Sequence, residues 1–174
     1  MDELPPPRLR GVNKSDLDAI AELELTAFGI HSLARGALDV MFDLSGGLWL
    51  LAEDDEGVWG HAINARAEDP HVGWIAGMSI HPARQRQGWG AMLVATTIDY
   101  LRCYGSEVIR LLVKPNNKVA RRLYENFGFI YTGERIDHFG TDEPRVLMSL
   151  LLLQQTPDIS EVRGPQIPAD PDCF

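Results

Sequence analysis

The chain has 174 residues, of which 45% are apolar and 24% charged, the balance of one globular domain with a core of its own and not of a disordered segment. Its net charge of −9 divides unevenly: −7 over residues 8–80 (five basic, twelve acidic), +6 over 81–122 (eight basic, two acidic), −3 over 123–153, and acidic ends. An acidic whole with one basic block excludes a broad nucleic-acid surface and points to a local anionic ligand.

Proline placement draws the boundaries. Pro5–Pro7 mark a flexible start over 1–7, and Pro157, Pro165, Pro168 and Pro171 mark an acidic tail over 154–174 that reads as disordered or surface-draped. The folded body is then 8–153, a β-α-α-β-β-β-α-β-α-β-β order. Ser15-x-x-Asp18 reads as a capping box ahead of a helix carrying Leu17, Ile20, Leu23, Ala27 and Phe28. A second helix follows Leu33, Ala37, Val40, Met41 and Leu44 and stops at Gly46-Gly47. Runs 48–53, 58–67 and 72–80 form an antiparallel meander. A helix over 89–104, a strand over 108–113, a helix over 117–127 and strands near 129–136 and 145–152 complete a mixed α/β (α+β) sheet of about seven strands with about four helices.

The cysteines, Cys103 and Cys173, are far apart with no CxxC, so neither a disulfide framework nor a zinc knuckle is written here, and Cys103 reads as a buried thiol. His61 and His71 are not spaced as ligands on one helix, so no metal is expected. The first residues lack the basic and apolar regions of a signal peptide. The longest apolar run, 146–153, is far short of a bilayer span. A cytoplasmic protein without a membrane partner is the expectation.

The most informative stretch is Met78-Ser-Ile-His-Pro-Ala-Arg-Gln-Arg-Gln-Gly-Trp-Gly90. A strand ends at His81-Pro82, a loop with two arginines leads into Gly88-x-Gly90, and a helix starts. Glycines let backbone amides converge, and the first amides of a helix lack intrahelical acceptors at the positive end of its dipole. A phosphate is the natural guest. Neither GxxxxGK[ST] nor GxGxxG is satisfied, so the two common nucleotide loops are excluded. The second informative stretch is 112–129, LVKPNNKVARRLYENFGF, where Asn117 and Tyr124 fall on one side of a helix.

Together these two segments resemble the GNAT N-acetyltransferase superfamily. Gln85-Arg-Gln-Gly88-Trp-Gly90 matches [Q/R]-x-x-G-x-[G/A]. Val113, Asn117, Ala120, Leu123, Tyr124, Glu125, Gly128 and Phe129 match V-x-x-x-N-x-x-A-x-x-L-Y-E-x-x-G-F. The resemblance covers roughly 8–153. It implies acetyl-CoA in a V-shaped opening between strands 72–80 and 108–113. The backbone of Met78, Ser79 and Ile80 would hold the pantetheine arm and polarise the thioester. Gln85, Arg86, Gln87, Gly88, Trp89, Gly90 and Ala91 would hold the pyrophosphate. Asn117 would bond the pantetheine or the reacting groups, and Tyr124 would protonate the departing thiolate.

The general base is not supplied by the motif, because Leu112 stands where many relatives carry a glutamate and 72–80 holds no carboxylate. His138 is the leading candidate; Glu68, Asp69, Glu22, Glu24, His31 and a water chain stay open. His81 reads as a structural strand-end residue. Trp49, Trp59 and Trp74 read as sheet core or as one wall of an acceptor cleft. The implied activity is acetyl transfer to a primary amine, on a small cationic molecule, a lysine or a protein N-terminus, by direct attack in a ternary complex. The alternatives are a catalytically silent CoA-binding sensor or subunit and a transferase using a longer acyl-CoA. A monomer or homodimer without nucleic acid is expected.

Overall fold

In the computed structural model, which describes residues 8–136 and 143–152, the elements run β1 (Arg8–Gly11), α1 (Leu17–Phe28), α2 (Arg35–Ser45), β2 (Leu50–Asp54), β3 (Gly57–Arg66), β4 (Val72–Ile80), α3 (Trp89–Cys103), β5 (Val108–Val113), α4 (Lys118–Asn126), β6 (Ile130–Arg135) and β7 (Arg145–Leu151). They form one seven-stranded sheet in the order β1-β2-β3-β4-β5-β7-β6. Every neighbouring pair is antiparallel except β4 and β5. That pair is parallel because the chain returns through α3, the long crossover a parallel join requires. The expected mixed sheet with four helices is therefore the observed one. The segments 1–7 and 154–174 and residue His138 lie outside the described residues.

Two apolar layers hold the helices on opposite faces. Leu17, Ile20 and Leu38 of α1 and α2 pack with Trp49, Leu51 and Ile63 on one face. On the other, Val94, Ile98 and Leu101 of α3 pack on Ile75, Ile109, Leu111, Val146 and Met148, with Leu123 and Tyr124 of α4 against them. The inner strands are covered on both sides, which is why β3 reads as a continuous buried run and not an alternating one. Among the described residues no helix is long and apolar enough to cross a membrane.

Two local expectations are corrected. The capping residue is Asp16, not Ser15-x-x-Asp18: its carboxylate accepts from the Asn13 amide at 2.7 Å, because Lys14–Asp16 form a 3-10 turn ahead of α1. Asp16 is also clamped by Arg10, which bridges it to Glu53 at 2.7 and 2.8 Å. Cys103 is exposed, not buried; the buried stripe of α3 runs through Val94, Ile98 and Leu101, and Cys103 falls off it in the last turn.

Candidate active site

β4 and β5 are hydrogen-bonded from Val72↔Val108 to Ile75↔Leu111 and no further. Beyond that point β4 continues to Ile80 beside β3, and β5 continues to Val113 beside β7. The two strands therefore diverge. A bulge marks the place: the register of β3 on β4 slips between Ile63 and Asn64, leaving Ala76 unpaired, and an extra residue bends and twists its strand. The wedge exposes a strand edge over 76–80, roughly 16 Å of backbone at ~3.3 Å per residue. An extended, amide-containing ligand can pair with such an edge. Met78, Ser79 and Ile80 all lie on it.

The loop that follows is built by its own side chains. The His81 amide donates to Trp59 O at 2.7 Å, and His81 Nδ1 accepts from the Ala83 amide, the structural strand-end role expected of it. Gln85 donates to Ile80 O at 3.0 Å, and Gln87 ties Ala83 O to the Trp89 indole. Trp89 in turn packs on Trp59, ring centroids 5.5 Å apart. Gly88 caps α3 at φ +87°, and Arg86 is held at φ +60°, so the backbone reverses direction twice within three residues. The first intrahelical bond runs from the Met92 amide to Gly88 O. The amides of Trp89, Gly90 and Ala91 precede it and lack intrahelical acceptors, at the positive end of a 15-residue helix. Gly90 faces α4, where a Cβ would make ordinary van der Waals contact with Leu123 at 3.5 Å.

The two loop arginines separate in role. Arg84 is nearly buried and locked to Asp54 at 2.7 Å and Glu56 at 2.6 Å, so its charge is spent on the protein. Arg86 is exposed. It is the loop cation available to an anion.

α4 brings the second motif to the same wedge. Asn117 caps it, Oδ1 accepting from the Ala120 amide at 3.1 Å, so that atom already has a structural partner. Tyr124 and Met78 both pack against the apolar layer beneath the diverging strands, and the Tyr124 ring meets Phe129 edge-on at 5.6 Å. Burial pushes the Tyr124 phenol up to about 12. It is a neutral donor at any physiological pH.

The other candidate bases fall in different places. Glu68 and Asp69 precede β4 at its far end, roughly 20 Å of strand from Met78; Asp69 caps its own turn by accepting from the His71 amide. Glu22 is exposed. His31 reaches Glu143 at 3.8 Å, joining the segment between α1 and α2 to the one before β7. The hydrogen bond from Arg145, helped by the charges of His31 and Lys114, holds the Glu143 carboxyl below its ordinary range. Glu24 is different: it is 2% exposed and meets His61, 0% exposed, at 2.9 Å, and its second oxygen accepts from the Leu33 amide. No local sequence signal pairs them, since one lies on a helix and the other on a strand 37 positions later.

The tryptophans also divide. Trp49 is core, donating to Ser45 Oγ; Trp59 supports the loop; Trp74 sits half-buried with the Arg135 guanidinium 5.4 Å above its ring. No cluster of potential metal ligands occurs among the described residues. An open cavity of about 560 Å³, lined by Met41, Leu44, Arg66 and Tyr104 among others, lies at the C-terminal end of α3, away from the wedge.

Comparison with known proteins agrees with this geometry. The family model described as acetyltransferase (GNAT) family matches residues 17–129, more than half of the chain. A mycothiol acetyltransferase from Beutenbergia cavernae is 33% identical over 82 residues, 47% of this chain and 28% of that protein. The chain spans well under half the length of the mycothiol acetyltransferases it matches. Among solved structures, Ard1 from Thermoplasma volcanium superposes with a TM-score of 0.79 at 16% identity, over 85% of this chain and 99% of that one. The ribosomal-protein-S18-alanine N-acetyltransferase from Escherichia coli superposes with a TM-score of 0.75 at 22% identity, over 88% and 98%.

Proposed function

The chain belongs to the GNAT acetyltransferase family, and from that premise we propose that it transfers an acetyl group from acetyl-CoA to a primary amine by direct attack in a ternary complex. The observation that carries this reading is the open edge of β4 leading straight into the unshared amides of α3. An amide-bearing arm ending in a pyrophosphate has the length and the polarity that this edge and helix end accommodate.

In this reading the backbone of Met78, Ser79 and Ile80 binds the arm and donates to the thioester oxygen as it gains charge. Gln85 to Ala91 hold the pyrophosphate, with Arg86 as the nearby cation. Asn117 bonds the arm through its side-chain NH₂, its oxygen being engaged as a cap. Tyr124 gives its proton to the departing thiolate. A phenol pushed up to about 12 stays loaded for this task. Residues 8–153 act as the catalytic domain.

The acceptor is a cationic amine. What supports this is a chain whose first half is strongly acidic, −7 over residues 8–80. His138 remains a candidate proton acceptor. The related proteins are named for mycothiol and for an alanine of ribosomal protein S18, so small amines and N-terminal peptides both belong in the panel. Thiol release from acetyl-CoA, and from longer acyl-CoAs, measured across that panel tests the reading. Turnover on at least one amine supports it; acetyl-CoA binding with no turnover on any of them favours a CoA-binding sensor instead.

A further inference from the structure

The direct-attack reading leaves one proton without a destination among the described residues. An acceptor amine arrives largely as an ammonium and cannot attack until that proton leaves. Neither β4 nor β5 carries a carboxylate to take it.

Behind β4, on the face away from α3, the structure holds a buried polar group of three elements. The alternation of the sheet puts it there. Gly60, Ala62, Met78 and Ile80 face α3, as the contact of Ile80 with Gly60 and the packing of Ala62, Met78 and Ile80 around Leu93 require. The residues between them, His61 and Ser79, therefore face α1. They are register partners across β3 and β4, which sets their Cβ atoms about 5 Å apart on one face. His61 Nε2 lies 2.9 Å from Glu24 Oε1. Glu24 Oε1, both ring nitrogens of His61 and Ser79 Oγ are all buried, and none makes a hydrogen bond among the described residues, the 2.9 Å approach of Nε2 to Oε1 lying off hydrogen-bond alignment. Four such polar atoms in one cluster are costly unless a water or a ligand group completes them.

We infer that Glu24, His61 and Ser79 form a proton relay that deprotonates the acceptor amine from the α1 face of β4. The inference rests on the acetyltransferase reading and supplies the step it lacks. With the Glu24 carboxylate 2.9 Å from Nε2, the proton of the neutral ring is favoured on that nitrogen and the Nδ1 lone pair is left free to take a proton. The ammonium N–H bond breaks, its proton passing to the Ser79 hydroxyl or to a water bound there. A hydrogen of that water, or of the hydroxyl by way of a bridging water, moves on to Nδ1, and the imidazolium that forms is held against the Glu24 carboxylate. The freed nitrogen lone pair then forms the bond to the thioester carbon. When the C–S bond breaks, Tyr124 protonates the sulfur and recovers the remaining ammonium proton, so the cycle closes with amide, thiol and one proton on the relay. Glu24 acts through His61 and is a positioning residue. It also fixes the segment between α1 and α2 through the Leu33 amide.

The location separates the two substrates. Acetyl-CoA is expected on the α3 side, where the helix amides are, and Ser79 turns its side chain to the opposite side. The charged side chain paired with His61 is Glu24 of α1, and its cross-strand neighbours Leu51 of β2 and Ser79 of β4 carry no charge.

The test is the pH profile of kcat/KM for the acceptor in Ser79→Ala, His61→Gln and the double variant, with acetyl-CoA affinity measured alongside. A positioned base is worth about 10²-fold or more. Each single variant is expected to lose about that factor at pH 7 and to approach wild type as pH rises toward the free-amine range, with acetyl-CoA affinity retained. The double variant should lose no more than either single one, since the groups act as a unit. A loss of equal size at every pH, or no loss, overturns the relay. Ser79→Ala removes a single oxygen, so it keeps the test decisive if His61→Gln fails to fold. A wild-type protein that acetylates nothing overturns the acetyltransferase reading as well; an active wild type with pH-independent variants overturns the relay alone.

Discussion

Replacing Tyr124 by Phe removes one oxygen and keeps the ring that packs edge-on against Phe129 at 5.6 Å. Among the described residues no hydrogen bond holds that hydroxyl, so the fold should lose little, within the ±0.5 kcal/mol of a neutral substitution. The chemistry should lose far more. A general acid contributes about 10²-fold or more, so kcat is expected to fall by that factor, ~2.7 kcal/mol of barrier. The pH dependence is the sharper readout. An ordinary tyrosine of pKa 10.0 is half ionised at pH 10, whereas a phenol pushed up to about 12 is ionised there in only about 1% of molecules. The wild-type rate should therefore stay level past pH 10 and fall only as pH nears 12. For stability the sign is the same: the folded state holds its proton more tightly than the unfolded chain. The contribution is thus complete below pH 10 and lost as pH climbs toward 12, and Tyr124→Phe should remove that alkaline loss. Stopped assays of thiol release from pH 6 to 11 measure the first, urea titrations the second. A wild-type rate that halves near pH 10, or a Phe variant with full activity, refutes the assignment of Tyr124 as the acid.

Three further outcomes follow from particular contacts. Arg84→Met should cost about 3–5 kcal/mol in urea unfolding, because it strands the buried Asp54 carboxylate that Arg84 pairs at 2.7 Å. Gly88→Val should weaken acetyl-CoA binding and lower the melting temperature together, since a β-branched residue at φ +87° costs at least the ~1–2 kcal/mol of a left-handed backbone; titration calorimetry and a thermal scan check both. Arg10→Gln should flatten the acid limb of stability: the Arg10 hydrogen bonds hold Asp16 and Glu53 below their ordinary range, a contribution present above pH 4 to 5 and lost as pH falls through their lowered folded-state values. Acid-induced unfolding followed by circular dichroism measures it, and an unchanged acid midpoint refutes it.

Much of the site was legible because its parts are local. Gly88 before an amphipathic run, Asn117 ahead of a helix and Tyr124 two turns later each state their geometry over a few residues. What a short stretch of sequence does not carry depends on neighbours far along the chain. Arg84 and Arg86 look alike in a row of polar residues, and only Asp54 and Glu56, about thirty positions earlier, take one of them out of the loop. Glu68 and Asp69 are acidic residues at a turn, as a base could be, yet the length of β4 carries them to the far end of the sheet. Cys103 sits among apolar letters and still faces outward, because helical phase and not composition decides which side of α3 is covered.

By itself the sequence determined the order of elements, the helix end built to receive an anion and the charge division that first suggested one. The +6 block over 81–122 contains the loop from Gln85 to Ala91 that we propose holds the pyrophosphate. These follow from period, capping and glycine chemistry, which act over a turn or a strand. Tertiary structure alone decided that β4 parts from β5 after Ile75, that one arginine of the loop is already paired, and that Glu24 reaches His61, the register partner of Ser79. Those depend on register and on which faces close over each other, and no short window of sequence carries either.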